Sequence, residues 1–488
     1  MDVGGSAQVG RRRTVALLRR VIPLLLLVVQ IWWLHDSLVT NHDVHAIRVP
    51  DTMSYLRLSR MSTVEGALTH YRTYGYPLLI KIFGWRELPG RELWIFFVAV
   101  LAFYGGVAAY ARSQWLALAA ASPLLYGQAL GMLGRLQPDF VAGSWVLFAV
   151  ASLLGLVARP RNVLLWCGLA ASVFAAYQFR PATLILVAWL PVIGFAVRAW
   201  RERRLDRRLL AWAVGLALAT VLPYLAFCSW RYARVGDFGL VSFGGYNMCG
   251  MAATLLEPSL IRELEGEERL MGNIMYKMRQ KRDWQPYRSG EGSEQWFAQY
   301  SDNIWRICAA VAKRQVQEAW AHAPDEPDRR YLRLEINDKL SAFSKSVIRL
   351  RVGHYLSWVR DANLYGWRQL RGSPWVVWPA LLLAIFGLVL AGGRRFGLLA
   401  RGGRGDALRL VSALGVLGLS FFLAYVALIS LLSFPFSRYY YGTVLLLPSA
   451  LCFSLAVIWQ EIGRSLPGVA KLQSPLMSGG VGGAGSSS

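Results

Sequence analysis

Two short polar stretches hold the residue types best suited to chemistry: Pro50-Asp51-Thr52-Met53-Ser54-Tyr55 and Arg72-Thr73-Tyr74-Gly75-Tyr76-Pro77. A carboxylate can take the proton from an attacking hydroxyl, and it does so well when partial desolvation raises its pKa. That makes Asp51 the candidate base. A phosphate leaving group needs positive charge and donors, and arginine supplies both in a bidentate fork. Arg72 is the candidate phosphate ligand, with Lys81 as a second cation on the same segment. Tyr55, Tyr74 and Tyr76 are placed to shape a substrate site. Plainer roles exist beside these. Asp51 before Thr-Met-Ser-Tyr-Leu is also a good helix N-cap, and both roles can hold at once. Arg72 at a membrane interface would meet lipid headgroups.

Further candidates fall at the ends of apolar runs. An arginine in mid-membrane costs about 2.5–3.5 kcal/mol, so Arg135, Arg180 and Arg438 should face a cavity or an interface. All three are candidate ligands for a lipid phosphate, Arg180 and Arg438 foremost, with snorkelling as the alternative for each. Asp139, after Gln137-Pro138, suits a helix N-terminus by its charge and is also placed to bind a sugar hydroxyl or assist Asp51. Tyr246, in the run Gly239 to Asn247, is a candidate substrate contact. His35, Asp36, His42, Asp43 and His45 crowd one stretch, but their spacing matches no metal signature, so they read as loop residues and no metal site is expected. No C-x-x-C and no Walker A pattern occurs, which argues against redox chemistry and ATP. Cys167, Cys228 and Cys452 fall in apolar runs. Cys249 and Cys308 fall in a long polar segment and could pair if it is oxidised.

These residues must be positioned by membrane helices. Of 488 residues, 55% are hydrophobic, and the mean hydropathy is +0.35. Runs of about 18 or more apolar residues read as spans. Ten are expected, at 16–34, 93–111, 115–133, 139–157, 163–179, 182–198, 209–230, 374–392, 408–432 and 442–460. The first follows Arg11-Arg12-Arg13 and Arg19-Arg20, but Trp32-Trp33-Leu34-His35 follows it in place of a small-x-small cleavage site, so it reads as an uncleaved anchor. The net charge of +24 comes mainly from 46 arginines against 7 lysines. They concentrate in alternate short loops, notably Arg201 to Arg208 and Arg394-Arg395 with Arg401 and Arg404. This places both termini inside under the positive-inside rule and excludes nucleic acid as the reason for the charge. Two long outer segments result, 35–92 and about 231–373. The second shows helical patterning through Trp296-Phe297, Trp305 and Val311, then a helix near Leu332, Ile336, Leu340, Phe343, Val347 and Leu350. The organisation expected is a core module at 1–230, a helical outer domain at 231–373, closing spans at 374–465 and a flexible tail at 466–488.

Taken in order, Pro50-Asp51-Thr52-Met53-Ser54-Tyr55-Leu56, Arg72 to Tyr76-Pro77-Leu78-Leu79, Pro138-Asp139 and Arg180-Pro181 resemble the GT-C superfamily of integral-membrane glycosyltransferases. Seven spans before the large outer loop also fit that superfamily's core. The resemblance covers residues 15–230 and extends to the rest in layout. It implies an all-α polytopic membrane protein of GT-C fold with a helical periplasmic domain in a bacterial inner membrane. It further implies an inverting glycosyltransferase that moves a single sugar from a polyprenyl-phosphate donor to a glycan, lipid or protein acceptor on the periplasmic face. Asp51 would be the base, and Arg72, with Lys81, would hold the phosphate, as in the aminoarabinose and mannose transferases of the superfamily. Members with two adjacent acids often use a divalent metal; here Thr52 follows Asp51, which favours metal-independent catalysis with no cofactor. Arabinose, aminoarabinose, galacturonic acid, mannose and glucose donors all remain open. An oligosaccharide ligase using a polyprenyl pyrophosphate, with Arg180 and Arg438 as extra cations, is the second reading. A lipid or solute transporter is the third, though the repeats and broken helices usual in transporters are not seen.

Overall fold

The computed structural model describes residues 3–40, 45–126, 128–203, 205–289, 299–323, 328, 331–371, 376–383, 385, 404–432 and 445–465. Among these the chain is all-helical, with one isolated parallel bridge, Ile47 to Arg135. Six helices are long and apolar enough to cross a membrane. They lie in α1 (Val3–Thr40), α5 (Leu88–Ala111), α7 (Asp139–Ala158), α9 (Ile185–Glu202, entered through a 3-10 turn at Pro181–Leu184), α10 (Arg207–Val235) and the helix Arg404–Leu432. The apolar helices α8 (Val163–Phe179) and Leu446–Ser465 complete the bundle. The protein is a polytopic membrane protein.

The expected span at 115–133 is not a single helix. It forms α6 (Gln114–Ala121) and then two 3-10 turns, Ser122–Tyr126 and Gln128–Met132. Pro123 lacks the amide an α-helix needs there, and Gly131 adds backbone freedom. The expected span at 374–392 lies largely outside the described residues, although 376–383 are helical.

Local signals set the ends of these helices. Ser113, Asn162 and Asp206 accept hydrogen bonds from the amides of Leu116, Leu165 and Leu209, the side-chain capping that satisfies a first-turn donor. Gly236 closes α10 in the left-handed region, at φ +72°. α7 sits at the centre, packed by α5 and α8 and almost wholly buried. The outer faces of α1 and α10 carry exposed Leu25, Trp32, Leu210, Val214, Leu218 and Leu222, a band of apolar surface suited to lipid. The residues from Tyr246 to Ala362 have a core of their own, built on Leu260, Met271, Ile304, Val311, Phe343 and Trp358. The expected helix through Leu332 to Leu350 is present over those residues, while Trp296 and Phe297 lie outside the described ones.

Three short helices fill the first polar segment: α2 (Thr52–Ser59), α3 (Thr63–Thr69) and α4 (Gly75–Phe83). Two backbone lacings hold them on the bundle. Ile47 donates to Gly134 O at 2.6 Å, and Leu136 donates back to Ile47 O at 2.9 Å. Thr73 Oγ1 donates to Phe179 O at 3.3 Å, and Gly75 packs so closely on Gln178 that a Cβ would lie 2.6 Å from its carbonyl oxygen. A third tie is Arg231 near the end of α10. It is fully buried, donates to Leu68 O and Gly239 O, pairs with Asp237 at 2.9 Å and bonds Ser242.

Gly134 has φ +80°, and a Cβ there would lie 2.3 Å from His45 O. Left-handed strain alone costs about 1–2 kcal/mol, and the clash would part the two strands of the bridge. Gly134→Ala is expected to lower thermal stability in detergent measurably and to unfix the register of Asp51; an unchanged melting curve would contradict that role.

Candidate active site

The carboxylate and the guanidinium singled out in the sequence meet. Arg72 Nη2 donates to Asp51 Oδ1 at 2.7 Å. Arg72 Nη1 donates to Tyr55 Oη at 3.1 Å, and the guanidinium lies 4.8 Å from the centre of the Tyr55 ring. Asp51 precedes α2 with helical backbone angles and makes no side-chain cap. The cap role is therefore not filled; Thr52 does the local work, accepting from Val49 N and donating to Leu136 O. This leaves the Asp51 carboxylate for Arg72.

A second pair stands close by. Arg180 meets Asp139 through two contacts of 3.2 Å, Nε to Oδ1 and Nη1 to Oδ2. Both side chains are largely buried. Asp139 opens α7, just after the strand segment bridged to Ile47, and Arg180 ends α8, just after the segment laced to Thr73. The same two lacings that hold the first polar segment thus set the two pairs side by side. Tyr55 lies between them: burial pushes its phenol above the ordinary range, Arg72 and Arg180 pull it back, and Asp51 and Asp139 reinforce the rise. Burial opposes the charge on Arg72, but Tyr55, Asp51 and Tyr71 more than offset it, so the guanidinium holds its proton more firmly than a free arginine. Its Nε is buried, and a side-chain hydrogen bond with Tyr71 adds to its hold on the proton.

Tyr76 packs edge-on to Tyr55, with ring centres 5.3 Å apart, and is fully buried. Tyr74 and Lys81 belong to a different contact. Tyr74 Oη and Lys81 Nζ both donate to Met61 O at 3.2 Å, and Lys81 is exposed. The two expected phosphate cations on this segment are therefore separated, and Tyr74 serves to seat α3 through its packing on Gly66. Arg135 is exposed and contributes its backbone to the bridge. His35 packs on Trp94 and Phe97. Arg438, His42 and Asp43 lie outside the described residues. Among the described residues, no group of three or more His, Cys, Asp or Glu is arranged to hold a metal ion.

Tyr246 reaches the site at one remove. Its ring joins Phe243, Trp305 and Tyr71 in a cluster with centres 5.6–6.2 Å apart. Tyr71 is flanked by two guanidiniums, Arg72 at 5.4 Å and Arg333 at 5.2 Å from its ring centre. His70 stacks on it at 4.3 Å. Burial, then Arg333, Arg72 and Arg57, hold the His70 imidazole down at about 3, so it is neutral near pH 7 and its Nδ1 accepts from Arg72 N. The sequence reading missed His70, Tyr71 and Arg333, which no short motif connects. It also missed Glu92, which is fully buried beside Tyr76. A signal existed: Glu92 falls on the inward face marked by Leu88, Phe96 and Phe103.

No family model and no curated protein sequence matches the chain. Among solved structures it is similar to the Archaeoglobus fulgidus oligosaccharyltransferase in its apo form, with a TM-score of 0.44 and 13% identity over 94% of this chain and 52% of that one. It is similar to the same degree to that enzyme tethered by a disulfide to an acceptor peptide containing the NVT sequon, over 93% of this chain and 52% of that one. The chain spans about half the length of those proteins. Likeness at this level is one of outline, and the functional reading stands on the site geometry.

Losing one partner of a buried ion pair costs about 3–5 kcal/mol, whereas apolar replacement of both can be near neutral. Arg180→Met alone should destabilise the protein strongly, and adding Asp139→Leu should restore much of the loss, as read by thermal unfolding of the four members of the cycle. Additive effects would show that the pair is not coupled.

Proposed function

We propose that the protein is a membrane glycosyltransferase of GT-C type, an enzyme that moves a single sugar from a polyprenyl-phosphate donor to a hydroxyl-bearing glycan, lipid or protein acceptor. One observation carries the reading: a carboxylate and a guanidinium, both partly accessible, meet at 2.7 Å. In this mechanism a phosphate oxygen of the donor accepts from the accessible edge of the Arg72 guanidinium while Nη2 keeps Asp51 in place. The acceptor oxygen attacks the anomeric carbon from the face opposite the phosphate, and Asp51 takes the hydroxyl proton. The bond from the anomeric carbon to the phosphate oxygen breaks, its electron pair leaves on the polyprenyl phosphate, and the anomeric configuration inverts. Tyr55 holds Arg72 in position. The donor bond carries the driving force, in keeping with the lack of a Walker A motif.

The charge asymmetry of the short loops supports a periplasmic site in a bacterial inner membrane, with both termini cytoplasmic. The separate core between Tyr246 and Ala362 supports treating 231–373 as a cap domain on a core module at 1–230. A divalent ion does not fit the carboxylates present: Asp51 is held by Arg72, and Asp139 is chelated by Arg180. Catalysis is accordingly read as metal-independent.

Asp51→Asn should lower transfer by about 10²–10⁴-fold, the range for a lost general base, with donor binding kept; near-normal turnover would remove Asp51 as base. Arg72→Ala should weaken polyprenyl-phosphate binding by about ten- to a hundredfold, since a hydrogen bond to a charged group contributes about 1.5–3 kcal/mol; unchanged affinity would remove its phosphate role. Chelation by EDTA should leave activity intact, and a loss reversed by Mn²⁺ or Mg²⁺ would overturn the metal-free mechanism.

A further inference from the structure

The N-terminal end of α5 carries a second concentration of positive charge, apart from the Asp51–Arg72 pair. Trp85, in the turn between α4 and α5, is flanked by two guanidiniums. Arg48 lies 5.1 Å from its ring centre and Arg86 5.2 Å. Both arginines are exposed, while the indole is half-buried and packs on the cluster that holds Tyr55, Tyr76 and Leu88. The core thus fixes the indole and leaves its two cations at the surface. A guanidinium drawn to a ring face keeps its N–H donors, which lie in its own plane, for other partners. Among the described residues neither arginine is paired with a carboxylate; the adjacent Glu87 is matched to Arg91 at 3.7 Å. Two like charges at one ring repel each other until an anion joins them.

Position selects the anion. α5 is long and apolar enough to cross a membrane, and it begins at Leu88, just after this turn. Trp85 and its arginines therefore stand where headgroups meet acyl chains, the level at which tryptophan and arginine both settle. Ile82 and Phe83, which end α4, are exposed, and Arg91 lies 5.7 Å from the Phe83 ring centre. A soluble anion would satisfy the guanidiniums and leave that apolar surface in water. A zwitterionic headgroup would bring its own cation against Arg48 and Arg86. An anionic phospholipid answers both: its phosphate accepts from the two arginines, and its chains cover the apolar residues.

We propose that Arg48, Trp85 and Arg86 form a binding site for the headgroup of an anionic phospholipid. The site stands on the membrane-spanning fold alone and does not depend on glycosyl transfer. Its occupant fastens the C-terminal end of α4 to the bilayer. The other end of α4 carries Tyr76, which packs on Tyr55 beside Arg72, so the bound lipid steadies the short helices that bear the ion pair.

The test is hydrogen exchange of the full chain in nanodiscs of phosphatidylcholine, alone or with an equal share of phosphatidylglycerol, read by mass spectrometry over residues 81–87. Phosphatidylglycerol is expected to slow exchange there by about tenfold, as two cations near an anionic surface would give. Arg48→Gln with Arg86→Gln should abolish the slowing. Arg159→Gln with Arg161→Gln, the same change of charge at exposed positions after α7, should keep it. Exchange that is equal in the two membranes, or that slows in the Arg48 and Arg86 variant as in the wild type, overturns the proposal. So does equal slowing by inorganic phosphate in the neutral membrane, which would identify a site for soluble anions. Loss of the slowing in the Arg159 and Arg161 variant overturns it too, because bulk charge would then be the cause. Thermal unfolding guards against loss of fold, and each single replacement, expected to remove part of the slowing, keeps the test alive if the double variant fails to fold. Transfer activity does not enter the measurement, so this site and the transferase stand or fall separately.

Discussion

The site depends on the balance of two carboxylates by two guanidiniums at one end of an apolar helix bundle. Charge is tolerated there only when it is paired, because stripping water from an ion costs several kcal/mol even after relaxation. Asp51 with Arg72 and Asp139 with Arg180 meet that demand in different ways. The Asp139–Arg180 pair is closed, with both oxygens taken by one fork. The Asp51–Arg72 pair is more open: its two side chains keep 23% and 18% of their surface accessible. The closed pair is shielded from solvent, and the more open one is the accessible member of the two. Tyr55 between them is buried enough to stay protonated and so remains a neutral bridge rather than a third charge.

Distance along the chain is no guide to this arrangement. Asp51 and Asp139 are brought together by hydrogen bonds around Ile47, Gly134 and Leu136, and Arg72 and Arg180 by the contacts of Thr73 and Gly75 with the end of α8. What the sequence made legible was the chemistry of individual residues and the apolar periodicity. The spans that became α5, α7, α8 and α10, the helix Leu332–Leu350, and the choice of Asp51 and Arg72, which the fold brings into contact, all follow from local pattern. The broken element after α6 did not, because mean apolarity outweighed the single proline and glycine that interrupt it. Lys81 misled for a related reason. It shares a segment with Arg72, but the turn between them aims it at Met61 O. Glu92 was hidden by its neighbours: beside Arg91 it reads as an interfacial acid, and only the helical phase shows that it points inward.

Among the described residues, the second polar segment meets the first largely through aromatic faces. Tyr71 presents one ring to Phe243, Tyr246 and Trp305, and to the guanidiniums of Arg72 and Arg333. Such contacts are worth about 0.5–1.5 kcal/mol for an aromatic pair, and about 0.5–2 for a cation over a ring. They are firm collectively and soft singly. The neutral state of His70 keeps a further positive charge out of a place where Arg57, Arg72 and Arg333 already act.

Arg231 adds a charged tie between the same two segments. Its guanidinium is sealed from solvent and tied at once to the carbonyl of Leu68, to the turn at Gly239 and to the Asp237–Ser242 pair. The end of α10, the end of α3 and the entry to the second segment consequently travel as one lever. A displacement of the second polar segment would therefore be passed to α3 and, through it, to the loop that carries Arg72.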